Sequence, residues 1–75
     1  MSTTFEQSRA AGLDALTQAA EAIRAAPELG ELYRLATSAL DKLNAAHAHN
    51  LISQEEADQW RAKLDAVEDE RLAEL

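Results

Sequence analysis

The segment HNLISQEE, residues 49–56, decides how this chain folds. It separates two stretches rich in alanine and leucine, and its residues are typical of one helix that ends and another that begins. Asn50 tolerates the left-handed backbone conformation with which many helices end. Ser53 and Glu56 match a capping box, in which two side chains satisfy the free backbone N–H groups of a new helix. The segment therefore predicts the corner of a helical hairpin rather than a turn at an active site.

The rest of the sequence favours an all-α fold. Strong helix formers such as alanine, leucine and glutamate dominate, and the 75 residues include only two glycines and one proline. There is no run of β-branched residues that would indicate a strand. We expect a single helical domain over residues 1–75, with helices at about residues 4–26, 28–49 and 54–74. The short corner makes the last two helices an antiparallel hairpin over residues 28–74.

Local signals set the other helix boundaries. Thr3 and Thr4 each fit a capping box at the start of the first helix. Pro27 ends that helix, because it lacks an N–H donor and disfavours helical angles in the preceding residue, and it suits the first turn of the second helix. Gly12 lies inside the first helix, where glycine costs about 1 kcal/mol relative to alanine. We therefore expect the N-terminal third of this helix to fray or to order only against a partner.

Large apolar side chains are scarce, because 17 residues are alanine. A chain of this length is also near the size at which one core is barely sufficient. The second helix has a nearly heptad apolar pattern, and the third has a narrower one. We expect the hairpin to pair with a second copy into an antiparallel four-helix core. Its seam residues are Leu32, Leu40, Leu43, Trp60, Leu64 and Val67.

The first helix carries one apolar stripe of Leu13, Leu16 and Ile23. This spacing suits a helix that lies in a hydrophobic groove of another protein. We expect the helix to pack across the four-helix core or to reach toward a protein partner. Phe5 and Tyr33 lie outside the stripes and complete the predicted partner-binding set, although single exposed apolar residues are ordinary.

The charge of the chain is uneven. The formal net charge is −7, and residues 51–75 hold eight acidic against three basic residues. Such a surface repels phosphate backbones and anionic lipids, so direct nucleic-acid or membrane binding is disfavoured. The acids Asp65, Glu68, Asp69 and Glu70 also suit a mimic of DNA phosphates that blocks a basic groove. A solvated helix face would give the same pattern.

Residues suited to catalysis or metal binding form no recognisable set. His47 and His49 are two apart, so on a helix they point in different directions, and no cysteine is present to complete a ligand set. The carboxylates lack the concave setting that general acids need, and no nucleophile or phosphate-binding motif is present. We expect no enzyme activity, no cofactor and no metal. The absence of cysteine and of a signal-like start favours a cytoplasmic protein.

Residues 40–64 combine LDKLN (residues 40–44), NLISQEE (residues 50–56), Trp60 and KL (residues 63–64). This combination resembles the short C-terminal helical hairpin domain that ends many bacterial and phage proteins, except that Asn50 stands where that family usually has glycine. The resemblance implies oligomerisation or protein contact. In size, acidity and helical build, the whole chain also looks like the compact acidic proteins with which bacteriophages inhibit host regulators.

The sequence thus predicts a non-enzymatic protein–protein interaction module that binds and modulates another protein, as a phage-encoded inhibitor of a host regulator does. Two alternatives remain open. One is an acidic nucleic-acid mimic, and the other is a purely structural oligomerisation module.

Overall fold

A computed structural model describes residues 4–75 and shows three helices that pack against one another. Helix α1 spans Phe5–Arg24, α2 spans Leu29–Ala48 and α3 spans Gln54–Glu74. The predicted all-α class, the three-helix division and the α2–α3 hairpin are confirmed. Every helix end lies within two residues of its predicted position.

The corner between α2 and α3 has the structure that its residues predict. Asn50 adopts φ 58°, the left-handed conformation. The N–H of Leu51 donates to the Ala46 carbonyl at 2.9 Å, and the N–H of Asn50 donates to the His47 carbonyl at 3.0 Å. These two bonds are the Schellman arrangement, which satisfies carbonyls that the helix end would leave free. Asn50 thus occupies the left-handed position at a helix end that glycine most often occupies in proteins.

The capping box at the start of α3 is also confirmed. The Ser53 hydroxyl accepts from the Glu56 N–H at 3.1 Å, and the Glu56 carboxylate accepts from the Ser53 N–H at 2.9 Å. At the start of α1 the N-cap is Thr4, which forms the equivalent pair of bonds with Gln7. Thr3, the other predicted cap, lies outside the described residues.

The start of α2 differs from the prediction. Glu28 is the N-cap, so Pro27 precedes the cap and does not lie in the first turn. The Glu28 carboxylate accepts from the N–H groups of Gly30 at 3.2 Å and Glu31 at 2.5 Å. A carboxylate at this position also interacts favourably with the helix dipole, which explains why the helix begins after it.

The core lies between all three helices, and α1 contributes as many buried residues to it as α2 does. Four large side chains are fully buried: Leu16, Ile23, Leu32 and Leu43. Leu64 and Val67 of α3 complete this centre. Because α1 of the same chain covers the hairpin, a second copy is not needed to bury these seam residues. The helix is continuous from Phe5 through Gly12.

Two predicted seam residues are not in the core. Leu40 is 38% exposed, because it lies on a flank of α2 that neither α1 nor α3 covers fully. Trp60 is partly buried and packs against the core from its edge. The ammonium group of Lys63 lies 4.9 Å from the centroid of the Trp60 ring, a cation–π contact that covers part of the remaining indole surface.

Two arginines hold the ends of the bundle together. The Arg9 guanidinium donates to both carboxylate oxygens of Glu56 and, at 2.9 Å, to the Leu51 carbonyl. At the opposite end, the Arg71 Nε donates to the Ala26 carbonyl at 2.9 Å. Arg71 thus anchors the last turns of α3, beyond Val67, to the connection between α1 and α2.

Because of the Arg9–Glu56 contact, we expect the stability of the fold to decrease at acid pH. Hydrogen bonds from Arg9, and then from the Ser53 backbone, lower the pKa of Glu56 from 4.5 to about 2. A carboxyl with a depressed pKa in the folded state stabilises fully above its unfolded pKa, and this contribution is lost as the pH falls from about 4.5 toward 2. We expect Glu56→Gln to lower the urea midpoint at pH 7 and to remove part of the decline in stability below pH 4.5.

Circular dichroism during urea titration at several pH values measures this effect. Glu55→Gln is the matched control, since Glu55 is an exposed neighbour that forms neither contact. An unchanged acid dependence in Glu56→Gln would show that the ion pair does not stabilise the bundle.

A second prediction concerns the left-handed residue at the corner. Asn50→Ala should destabilise the protein by about 1 kcal/mol, because a non-glycine residue without a helpful polar group is strained at positive φ. Asn50→Gly should be neutral or stabilising, since glycine adopts this conformation without that strain. Thermal denaturation of the two variants compares them directly. Equal losses in both would instead indicate a role for the asparagine side chain.

Candidate protein-binding surface

Most of the predicted partner-binding stripe of α1 is buried in the core. Leu16 is 1% exposed and Ile23 is 0% exposed, so neither is available to a partner in the folded chain. Leu13 is partly buried and packs against the same core. The reason is physical: α1 has a single apolar face, and packing on the α2–α3 hairpin buries it. In the folded chain these three side chains therefore pack in or against the core.

The remaining apolar surface is concentrated on α2. Leu29 is 47% exposed, Tyr33 is 50% exposed and Leu40 is 38% exposed. Residues four and seven apart lie on the same side of a helix, so these three form one row with the partly buried Ala36 between them. We call Leu29, Tyr33, Ala36 and Leu40 the α2 stripe. It extends about 16 Å along the helix.

Phe5 is the most exposed large apolar side chain of the predicted set, at 58%. It is the first residue of α1, whereas Tyr33 lies within α2. The structure therefore leaves two of the predicted partner-binding residues accessible, on different helices. Only Tyr33 belongs to a row of other exposed apolar residues.

The charge on α2 favours its use as an interface. Glu31 and Asp41 balance Arg34 and Lys42, so the residues of α2 are formally neutral, and Glu31 pairs with Arg34. By contrast, α3 carries eight acids and three bases. The centres of protein–protein interfaces are depleted of charge, and tyrosine is enriched there. The α2 stripe has both properties.

The acidic residues of α3 form a row of their own. Glu55, Asp58, Asp65 and Asp69 follow one another at spacings of three, seven and four, which places them on one face, and all four are exposed. The predicted mimic set matches this row only in part, because Glu68 is partly buried and Glu70 lies around the helix from it. The row faces away from the core residues Leu64 and Val67.

Within residues 4–75, the side chains that could bind a metal or transfer a proton either make structural contacts or do not cluster. Within residues 4–75, no three or more histidine, cysteine, aspartate or glutamate side chains are placed to bind a metal ion. Glu56 has a lowered pKa because it serves Arg9 and the α3 cap, whereas a general acid needs a raised one. Among the same residues, no helix combines the length and apolarity needed to cross a bilayer.

No protein-family model matches this chain, and neither a curated protein nor a solved structure does. The geometry of the molecule is therefore the basis for assigning a function.

Sequence reasoning did not name Leu29 as a binding residue and assigned Leu40 to the seam. Both lie at helical spacing with Tyr33, so the signal was present, but the apolar side of α2 was treated as one seam. The apolar side of α2 is wider than the surface that α1 and α3 cover. Its centre is taken by Leu32, Ala39 and Leu43, and the stripe is the uncovered margin.

Substitutions should separate core residues from stripe residues. Leu16→Ala should lower the free energy of unfolding by about 2–5 kcal/mol, because it leaves a cavity in a closed core. Leu40→Ala should cost only about 1 kcal/mol, since Leu40 is already 38% exposed. Urea denaturation measures both. A small loss for Leu16→Ala would contradict its place in the core and return it to the partner-binding candidates.

Proposed function

We propose that this chain is a non-enzymatic protein-binding module that contacts its partner through the α2 stripe. One observation carries the proposal: Leu29, Tyr33 and Leu40 remain 38–50% exposed in a single row. Most other large apolar side chains of the described residues lie in or against the core. Rows of this kind fit apolar grooves on partner proteins.

The energetics suit a partner that covers more than the stripe. Complete burial of a large apolar side chain is worth about 1.5–3 kcal/mol, so the half-exposed residues of the stripe offer about 1 kcal/mol each. A stable interface also needs about 800 Å² on each side. The partner must therefore cover neighbouring parts of α2 as well. Tyr33 is the natural anchor, because its ring adds apolar area and its hydroxyl can bond at the rim.

The acidic helix α3, next to α2, favours a partner with positive charge. A partner with lysine or arginine beside its apolar groove would be drawn to α3 while the stripe enters the groove. The consequence of such binding would be modulation of the partner, and the likeness to small acidic phage proteins favours inhibition of a host regulator. A partner blocked at its groove would lose the interaction that the groove normally makes.

The acidic row of α3 supports a second candidate, a nucleic-acid mimic. Glu55, Asp58, Asp65 and Asp69 form an exposed line of carboxylates, as a mimic requires. Affinity for a basic groove would then fall steeply with salt, because screening weakens contacts between exposed charges. Binding through the stripe should survive moderate salt.

Site-directed photo-crosslinking tests the proposal. We expect a photoreactive phenylalanine analogue at position 33 to crosslink one partner in lysate of the organism that makes the protein. The same analogue at Thr17, an exposed position on α1, should not crosslink it. Excess unlabelled protein should compete, and Tyr33→Asp/Leu40→Asp should compete at least about tenfold more weakly, equivalent to 1.4 kcal/mol.

The controls show which function each alternative result supports. Circular dichroism must show that the competitor variants are folded, and Thr17→Asp should compete like the unchanged protein. If changing the four acids of the α3 row to their amides abolishes competition while the stripe variant still competes, the mimic is correct. If the crosslinked product is a second copy of this chain, the protein is an oligomerisation module.

A further inference from the structure

A hollow lies between α1 and α2, on the flank of α2 opposite the α2 stripe. Its volume is about 210 Å³. Its apolar lining consists of Gly12, Ala15, Ala45, Ala46 and Leu51. Lys42 and His49 complete the lining, almost entirely through their carbon atoms. None of these residues belongs to the α2 stripe, so the hollow is a feature separate from the proposed binding surface.

The hollow is deepened by the absence of a side chain at Gly12. A Cβ atom there would lie 3.6 Å from Leu51 Cδ1 and 4.0 Å from Ala46 Cβ, which are ordinary contacts. No glycine of the described residues has a positive φ. Neither space nor backbone conformation therefore requires glycine, although alanine would suit the helix better. The chain keeps the hollow open at some cost to its own stability.

The size of the hollow selects a small apolar group. An apolar cavity of about 150 Å³ is large enough to bind benzene. A volume of about 210 Å³ thus accommodates one six-membered ring and a short substituent. It is too small for most drug-sized ligands, whose pockets begin at about 300 Å³.

The charge beside the hollow selects the substituent. Lys42 is exposed and borders the hollow, so its flexible side chain can turn three ammonium N–H donors toward an anion at the open edge, where His49 is a second nitrogen-bearing side chain. No carboxylate lines the hollow. Lys42 forms none of the salt bridges found within residues 4–75, whereas Arg9, Arg34 and Arg71 each do. An anionic group placed at this edge would therefore meet a cation that has no other ionic partner in that part of the chain.

We propose that this hollow is a binding site for a small aromatic carboxylate. The ring lies on the floor that Gly12 and the alanines form, and the carboxylate accepts hydrogen bonds from Lys42, with His49 as a further donor. The complex is open on one side, so its dissociation constant is expected in the millimolar range. The site does not depend on the protein-binding role of the α2 stripe.

Amide chemical shifts of the ¹⁵N-labelled protein test the site with phenylacetate as the probe. We expect saturable shifts centred on Gly12, Ala15 and Ala46. Phenylacetamide, which has the same shape without the charge, should bind several-fold more weakly. Acetate, which has the charge without the ring, should not saturate over the same range.

Variants of the protein separate the two parts of the proposal. Lys42→Gln should remove the preference for phenylacetate over phenylacetamide. Lys63→Gln, which changes a cation on α3, should leave binding unaltered. Gly12→Ala should weaken binding of every ring compound while raising the denaturation midpoint, so loss of binding cannot be attributed to unfolding.

Other results would overturn the proposal. Shifts that do not saturate, that centre on Tyr33 or Trp60, or that are equal for phenylacetate and phenylacetamide would each do so. Saturation by the peptide acetyl-Phe-Asp-amide, with none by phenylacetate, would make the hollow a receptor for a protein side chain. Shifts at Gly12 on simple dilution of the protein would show that a second copy occupies it.

Discussion

Glu56 connects three parts of the molecule, and its contacts join the first half of α1 to the corner of the hairpin. Its carboxylate caps α3 through the Ser53 N–H and pairs with Arg9 of α1, while Arg9 also reaches the Leu51 carbonyl at the corner. These contacts fix the first half of α1 against the end of the hairpin at which the chain turns. The apolar face of α1 packs across both α2 and α3. The exposed surfaces within residues 4–75 are those that this packing leaves uncovered.

Alanine makes such a small bundle possible. Six of the thirteen buried hydrophobic residues are alanine. Small side chains at a helix contact let the backbones approach closely, so a few leucines are enough to fill the centre. Counting only large side chains suggested that the core of a single chain would be marginal. In the structure the methyl groups of alanine supply much of the remaining buried apolar surface.

The helix ends could be predicted from the sequence, because each depends on a few adjacent residues. Asn50, Ser53 and Glu56 carry their signal within one segment, and Thr4 does the same for α1. The assembly of the helices could not be predicted in this way. The Arg9–Glu56 pair joins residues 47 apart, and no local pattern reveals it. Leu16 and Ile23 have the same spacing whether the helix packs on its own chain or on a partner, so the sequence left that choice open.

The candidate site was harder to predict, because it is defined by what the core does not cover. Tyr33 was separable from the seam by its position, but Leu40 was not, since both flanks of α2 are apolar at helical spacing. The orientation of α2 between its neighbours decides which flank is exposed. On the flank toward α1, small residues leave a hollow bordered by Lys42 and His49. On the opposite flank, larger residues form the α2 stripe.

Closure of the core within one chain has a consequence for binding. A helix that folded only on its partner would spend part of the interaction energy on ordering itself. Here Leu16, Ile23 and Leu43 already hold α2 in place, so the α2 stripe is presented on a formed helix. Contacts made by Tyr33 and Leu40 can therefore contribute to affinity without that loss. For the same reason, changes in the stripe should alter binding and stability independently, whereas changes in the core should alter both together.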